Sequence, residues 1–301
     1  MNRPLGRRDF LRTAAAVAAA ATVGAPVFAD SKKAKLKKAV KYGMVQLKGG
    51  AHLARLELAK KCGFLGVEID SPGTDKLDEL VKASKETGVA IHGVIDSVHW
   101  RDTLSHPDEK VRAKGLAALE GALKDAKTVG ADTVLLVPGV VNKEVSYEQC
   151  FERSQAEVKK ALPLAEKLKV RIAIEVVWNN FITKPEQLIE YVDAFKSEYV
   201  GAYFDCSNMI KYGVAPADWI RKLGKRMLKF DFKAFAKGKM KPNDEYAGFR
   251  VEIGEGDENW PEVLKALAEV GYDGWATAEV GGGGEEHLKK IAAQMDKVLG
   301  L

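Results

Sequence analysis

Four acidic residues sit at the ends of apolar runs in the second half of the chain: Glu175 in IAIEVV, Asp205 in GAYFD, Asp231 in KFDF and Glu279 in WATAEV. Each run reads as a strand, because β-branched, aliphatic and aromatic residues fit a pleated, buried environment. An ionised carboxylate among such side chains is costly unless it is paired or bound to a metal. Glu175 on its own could be a core glutamate held by one Lys or Arg. Four such acids brought together would repel one another, and several would be protonated at neutral pH. A divalent cation would satisfy all four.

The elements that must position them alternate regularly. Strands are expected at residues 39–46, 66–70, 89–100 (the third strand together with its loop), 132–139, 171–180, 200–208, 227–235 and 274–280. Helices are expected at 52–63, 75–88, 107–129, 147–168, 185–195, 217–223, 261–270 and 285–299. Pro163 is expected to interrupt the fourth helix, and residues 236–259 read as an irregular insert. Eight strand–helix units in roughly 260 residues predict a single-domain α/β fold, a (β/α)8 TIM barrel over 39–301 with each strand beside the next. An open doubly wound sheet is the runner-up, but no Gly-x-Gly-x-x-Gly follows the first strand. In a barrel the active site lies at the C-terminal ends of the strands, so strands five to eight would aim the four acids at one mouth. GGGG at 281–284 is either a tight substrate-facing turn or a flexible connector.

The 301 residues are 46% hydrophobic and 30% charged, a globular composition able to bury a core. Of the formal charge of +5, residues 1–29 contribute +3, and the rest of the excess is concentrated in SKKAKLKK. No basic stripe remains, so no nucleic-acid partner is expected. GRRDFLRT followed by an Ala-rich run and VFAD resembles a twin-arginine export signal cleaved after Ala29. The resemblance implies a signal peptide over 1–29, a basic linker over 30–38, engagement of the twin-arginine export machinery and a periplasmic location. The apolar run is short for a membrane span, so no retained anchor is expected. Three distant cysteines define no disulfide framework.

Five segments together, IAIEVV, GAYFDCSN, KFDFKAF, GEGDENW and GYDGWATAE, resemble the xylose-isomerase-like barrel family of sugar isomerases and epimerases. The resemblance implies metal ligands at Glu175, Asp205, Asp231 and Glu279, with Glu175 and Glu279 also serving as the catalytic acid and base. The chain departs from the family at Asp231, where a histidine is usual, and at Ala234, where an acid is usual. An all-oxygen set favours the harder ions Mn²⁺, Mg²⁺ or Ca²⁺ over Zn²⁺, with Mn²⁺ or Mg²⁺ expected, or else marks loss of the site. Asn208 stands where epimerases often carry a substrate-contacting histidine. The family also includes apurinic endonucleases, but their zinc cluster needs many histidines and this chain has five.

Further substrate-binding candidates are His99 and Trp100 after strand three, Trp178 as an apolar platform for a sugar ring, Asn208, Lys233 and Lys237. Lys233 would point the same way as Asp231 and could polarise a carbonyl or neutralise the acids. The alternatives are a His99 that caps a backbone group, a Trp178 that caps the barrel and a solvated Lys237. His92 reads as a packed core residue, and Glu68 as one end of a salt bridge inside the barrel. The expected activity is an exported, divalent-metal-dependent sugar isomerase or epimerase that transfers a proton α to a carbonyl on a free sugar or keto-glycoside. The same proton abstraction could make a keto-glycoside lyase, and the alternative outside catalysis is a sugar-binding barrel. A homo-oligomer is compatible with all of these.

Overall fold

The computed structural model describes residues 35–300, so the twin-arginine stretch and its cleavage site lie outside the described residues. Eight strands alternate with eight helices. The strands are β1 (Lys37–Lys41), β2 (Gly66–Ser71), β3 (Ala90–Asp96), β4 (Thr133–Leu136), β5 (Arg171–Glu175), β6 (Val200–Asp205), β7 (Met227–Phe232) and β8 (Trp275–Ala278). The helices are α1 (His52–Lys61), α2 (Leu77–Thr87), α3 (Glu109–Val129), α4 (Tyr147–Leu168), α5 (Pro185–Asp193), α6 (Pro216–Leu223), α7 (Trp260–Glu269) and α8 (Glu285–Leu299). All strand pairs are parallel and β8 closes on β1, giving a single (β/α)8 barrel. β1 begins inside the stretch read as linker, because Lys37 and Lys38 pair with Trp275 and Ala276. Among the described residues no helix is long and apolar enough to cross a membrane.

The main apolar core lies between barrel and helices, where outward-facing Val40, Ile69, Ile172, Phe204 and Phe230 meet buried helix residues such as Leu119, Val158 and Trp219. Pro163 does not interrupt α4, which runs through it for 22 residues. A proline removes one N–H bond from the ladder. The helix is sustained by a Ser146–Gln149 capping box and by buried Val158, Ala161 and Ala165 on both sides of the proline.

The barrel interior is more polar than the branched aliphatic filling usual for this fold. Leu135, Ala173 and Tyr203 form a small apolar cluster there. Around it, Lys41, Glu68, Tyr203 and Asp231 contact one another although they come from β1, β2, β6 and β7. Such contacts are possible only across the inside. Gly93 makes room for them, since a Cβ there would stand 2.3 Å from Glu68 Oε1. Deeper still, Lys229 donates to the His92 carbonyl and pairs with Asp132, while His92 stacks on Trp275 at 4.4 Å.

The strands end earlier than their apolar runs suggest. Glu175 and Asp205 are the last residues of β5 and β6, Asp231 is the penultimate residue of β7, and Glu279 follows β8 directly. Register pairs Asp205 with Asp231, and Glu279 N donates to Phe232 O at 3.1 Å. The four acids are therefore level with one another at the barrel mouth.

Candidate active site

One oxygen from each of Glu175, Asp205, Asp231 and Glu279 lies within 4.8 Å of the others. Asp205 is fixed from the turn after β6, where the Ser207 and Asn208 amides donate to Oδ1 at 2.8 and 2.9 Å. Lys233 Nζ bridges Glu279 Oε2 at 2.9 Å and Asp205 Oδ2 at 3.4 Å, so it reaches the acids as its position two residues after Asp231 suggests. Asp231 is held from below. Tyr203 OH donates to its Oδ1 at 2.7 Å, and Lys41 Nζ lies 3.1 Å from its Oδ2 as an ion pair outside hydrogen-bond angles. Glu175, 6% exposed, accepts no hydrogen bond among the described residues.

Counting Glu68, five carboxylates share two lysines here. Burial pushes the Glu175 carboxyl well above its ordinary value, and the charges of Glu279 and Asp231 push it further. Burial also drives Asp231 well up against the pull of Lys41, and raises Asp205 against that of Lys233. Glu279 moves the other way: burial pushes it up, but Lys233 and Lys41 outweigh that and hold it below the ordinary value. A cation among the four would favour the ionised form of all of them. The donor set fits a hard divalent ion, since oxygens bonded at about 2.0–2.6 Å stand at most about 5 Å apart across the ion.

Above the acids opens a cavity of about 500 Å³. It is lined by His99, Trp100, Trp178, Asn208 and Lys233 from the sequence reading, together with Glu175 and Glu279. His99 Nδ1 accepts from the Val137 amide at 3.2 Å, which leaves the proton on Nε2. Burial lowers its pKa to about 4, so the ring is a neutral donor near pH 7. Trp178 donates from Nε1 to Asn208 O at 2.7 Å, which locks the ring, and Asn208 Nδ2 donates to Val176 O at 3.2 Å. Trp100 is half exposed at the rim.

Lys237 is not part of this group. Phe235 N is tied to the buried Glu258 carboxylate at 2.6 Å, and the chain then turns outward, so Lys237 lines a separate cavity of about 410 Å³ beside α6. The sequence reading also missed four residues. Lys41 lines the cavity and Tyr203 lies beneath it, while Tyr246 and Phe249, from the insert, line it and pack on Trp178 with ring centroids 4.9 and 5.1 Å away. A lysine within the apolar run AVKYG carries the same signal that singled out Glu175. Tyr203 precedes Asp205 by two residues and so shares its face. Glu68 does form the expected interior salt bridge, to Lys41 at 2.7 Å.

A closed parallel barrel with clustered acids and a cavity at the C-terminal ends of its strands has the layout of a barrel enzyme's active site. The sequence model of the xylose isomerase-like TIM barrel matches residues 56–298, and the chain belongs to that family. One curated relative is L-ribulose-5-phosphate 3-epimerase UlaE of Escherichia coli O1:K1, 28% identical over 172 residues, 54% of this chain and 61% of the relative. The chain thus spans about three-fifths of the length of the curated relatives it matches. Among solved structures, a D-tagatose 3-epimerase-like protein superposes with a TM-score of 0.73 at 21% identity, over 88% of this chain and 97% of that one. IOLI protein with a binding zinc atom superposes at 0.72 with 20% identity, over 88% and 98%. At these identities the structural likeness establishes the fold.

Proposed function

We propose that this protein is a divalent-metal-dependent sugar isomerase or epimerase that moves a proton α to a carbonyl. The observation that carries the reading is the convergence of Glu175, Asp205, Asp231 and Glu279 to within 4.8 Å of one another, with Glu175 and Glu279 lining the cavity. A bound Mn²⁺ or Mg²⁺ held by these four would polarise the substrate carbonyl and stabilise the negative oxygen that forms on deprotonation. Glu175 and Glu279, which a bound cation would keep ionised, are the two acids placed to remove the proton and return it. The two come from strands three apart and can address different sides of a bound sugar. Lys233 and the neutral His99 Nε2–H are donors for substrate oxygens, and Trp178 offers a rigid apolar face.

A sugar without a phosphate suits the lining best. Among the described residues lining the cavity only Lys41 and Lys233 are cationic, and both face carboxylates. That agrees with a twin-arginine-exported, periplasmic enzyme acting on a free sugar or keto-glycoside. The lyase outcome has no support from the relatives above. The test is incubation of Mn²⁺-supplemented protein with a panel of ketoses and keto-glycosides in D₂O, following loss of the α-proton signal by NMR. Exchange should occur with at least one substrate and fall about 10²-fold or more in Glu175→Gln and in Glu279→Gln. No deuterium uptake by any member of the panel would overturn the reading in favour of a non-catalytic sugar-binding barrel.

A further inference from the structure

Asp231 is the one acid of the four gripped from inside the barrel. Its side chain is fully buried; Oδ1 accepts from Tyr203 at 2.7 Å, and Oδ2, which makes no hydrogen bond, lies 3.1 Å from the Lys41 ammonium. Lys41 Nζ donates to Glu68 at 2.7 Å and to the Tyr203 oxygen at 3.1 Å, and that oxygen also lies 2.8 Å from Glu68, which competes with Asp231 for the single phenolic proton. Lys41 also sits 4.8 Å from the centre of the Tyr203 ring. Glu68 has its own constraint, packing against the bare Cα of Gly93. Four side chains from four strands thus close a ring directly under the cavity floor, and each is fixed by at least two others.

Such a ring is a poor way to stabilise a barrel. Desolvating two carboxylates and an ammonium is unfavourable, and apolar replacements of similar volume are often neutral or stabilising. Position gives the ring its use. A carboxylate oxygen has two lone pairs, so an oxygen that accepts from Tyr203 keeps one for a cation. A short aspartate in an open cavity could rotate about χ2, whereas one hydrogen-bonded at Oδ1 with the Lys41 charge beside Oδ2 presents a single orientation. Groups that orient metal ligands without touching the ion commonly alter affinity about 10–100-fold.

We infer that Lys41, Glu68 and Tyr203 are positioning residues that hold Asp231 in its ligating orientation, so that cation affinity depends on three side chains that never contact the cation. The inference rests on the four acids binding a divalent ion. Tyr203→Phe is the cleanest perturbation, because it removes one hydroxyl and keeps the buried ring. The test is calorimetric titration of the whole protein with Mn²⁺, for the wild type, Tyr203→Phe, Asp231→Ala and the double variant, each checked for unchanged circular dichroism. Tyr203→Phe should weaken Mn²⁺ binding about tenfold or more in the wild-type background. In the Asp231→Ala background it should change affinity less than about twofold, since its target is gone. Wild-type binding with no loss in Tyr203→Phe would overturn the positioning role alone, as would an equal loss in both backgrounds. A wild type that binds no Mn²⁺ would overturn the metal reading and this inference together.

Discussion

Replacing Glu175 with glutamine should have opposite effects with and without a divalent ion. Without one, Glu175 is a buried carboxylate with no donor among the described residues, beside acids whose oxygens lie within 4.8 Å. At an effective dielectric of about 20, one like charge at that distance costs about 3.5 kcal/mol, and the two lysines offset only part of the total. Glu175 can escape the repulsion by taking up a proton. Neutralising a carboxyl of ordinary pKa 4.5 at pH 7 costs about 3.4 kcal/mol at 1.36 kcal/mol per unit, which caps the destabilisation. Because the folded-state pKa is raised, this cost is absent below the ordinary value and grows as pH rises above it. Glu175→Gln should therefore stabilise the protein in EDTA at pH 7 by roughly 1–3 kcal/mol, or several degrees of Tm at about 2–4 °C per kcal/mol. With Mn²⁺ at a hundred times its Kd the wild type should gain about 2.7 kcal/mol, and the variant far less. Differential scanning calorimetry in EDTA and in MnCl₂ reads both arms. A variant that melts lower in EDTA, or that gains as much from Mn²⁺ as the wild type, would refute the reasoning.

Other variants probe separate parts of the site. Lys233→Met removes the cation that keeps Glu279 ionised, so deuterium exchange should fall about 10²-fold near pH 6 and its acid limb should move to higher pH; an unchanged limb would remove Lys233 from the account. Asp96, buried at the end of β3, has its carboxyl pushed up to about 7 by burial. A raised folded-state pKa means stability is fully present below the ordinary value of 3.8 and is lost as pH rises toward 7. Asp96→Asn should thus stabilise at pH 8, with a ceiling of about 4 kcal/mol, and show no gain near pH 4 in urea titrations. Lys237→Ala, in the separate cavity, should leave exchange within about twofold of wild type.

Barrel closure was legible because each strand announces itself as a short apolar run followed by a helical stretch, and parallel order follows from the crossover rule. Strand ends were less legible. Val176 and Val177 continue the apolar run of β5 because they are buried, not because they join the ladder, so burial without pairing extended the expected strand. The acids were legible as charges out of place. Their supports were not, since Lys41, Glu68 and Tyr203 are far apart in sequence and meet only across the closed barrel. Lys237 was misplaced for a related reason: the path of the insert is set by the Phe235–Glu258 contact, which no local pattern encodes. Tyr246 and Phe249 lie in the same insert, whose short 3₁₀ turns carry no periodicity that would have marked their faces.

On the proposed reading, the four carboxylates at the barrel mouth hold one divalent cation. Elemental analysis of the full-length protein, purified without a histidine tag and dialysed against chelator-treated buffer, tests it most directly. Close to one equivalent of manganese or magnesium per chain is expected, lost in Glu175→Gln and in Asp205→Asn. A wild-type protein that carries no divalent metal after Mn²⁺ loading, or one whose metal persists in both variants, would contradict it.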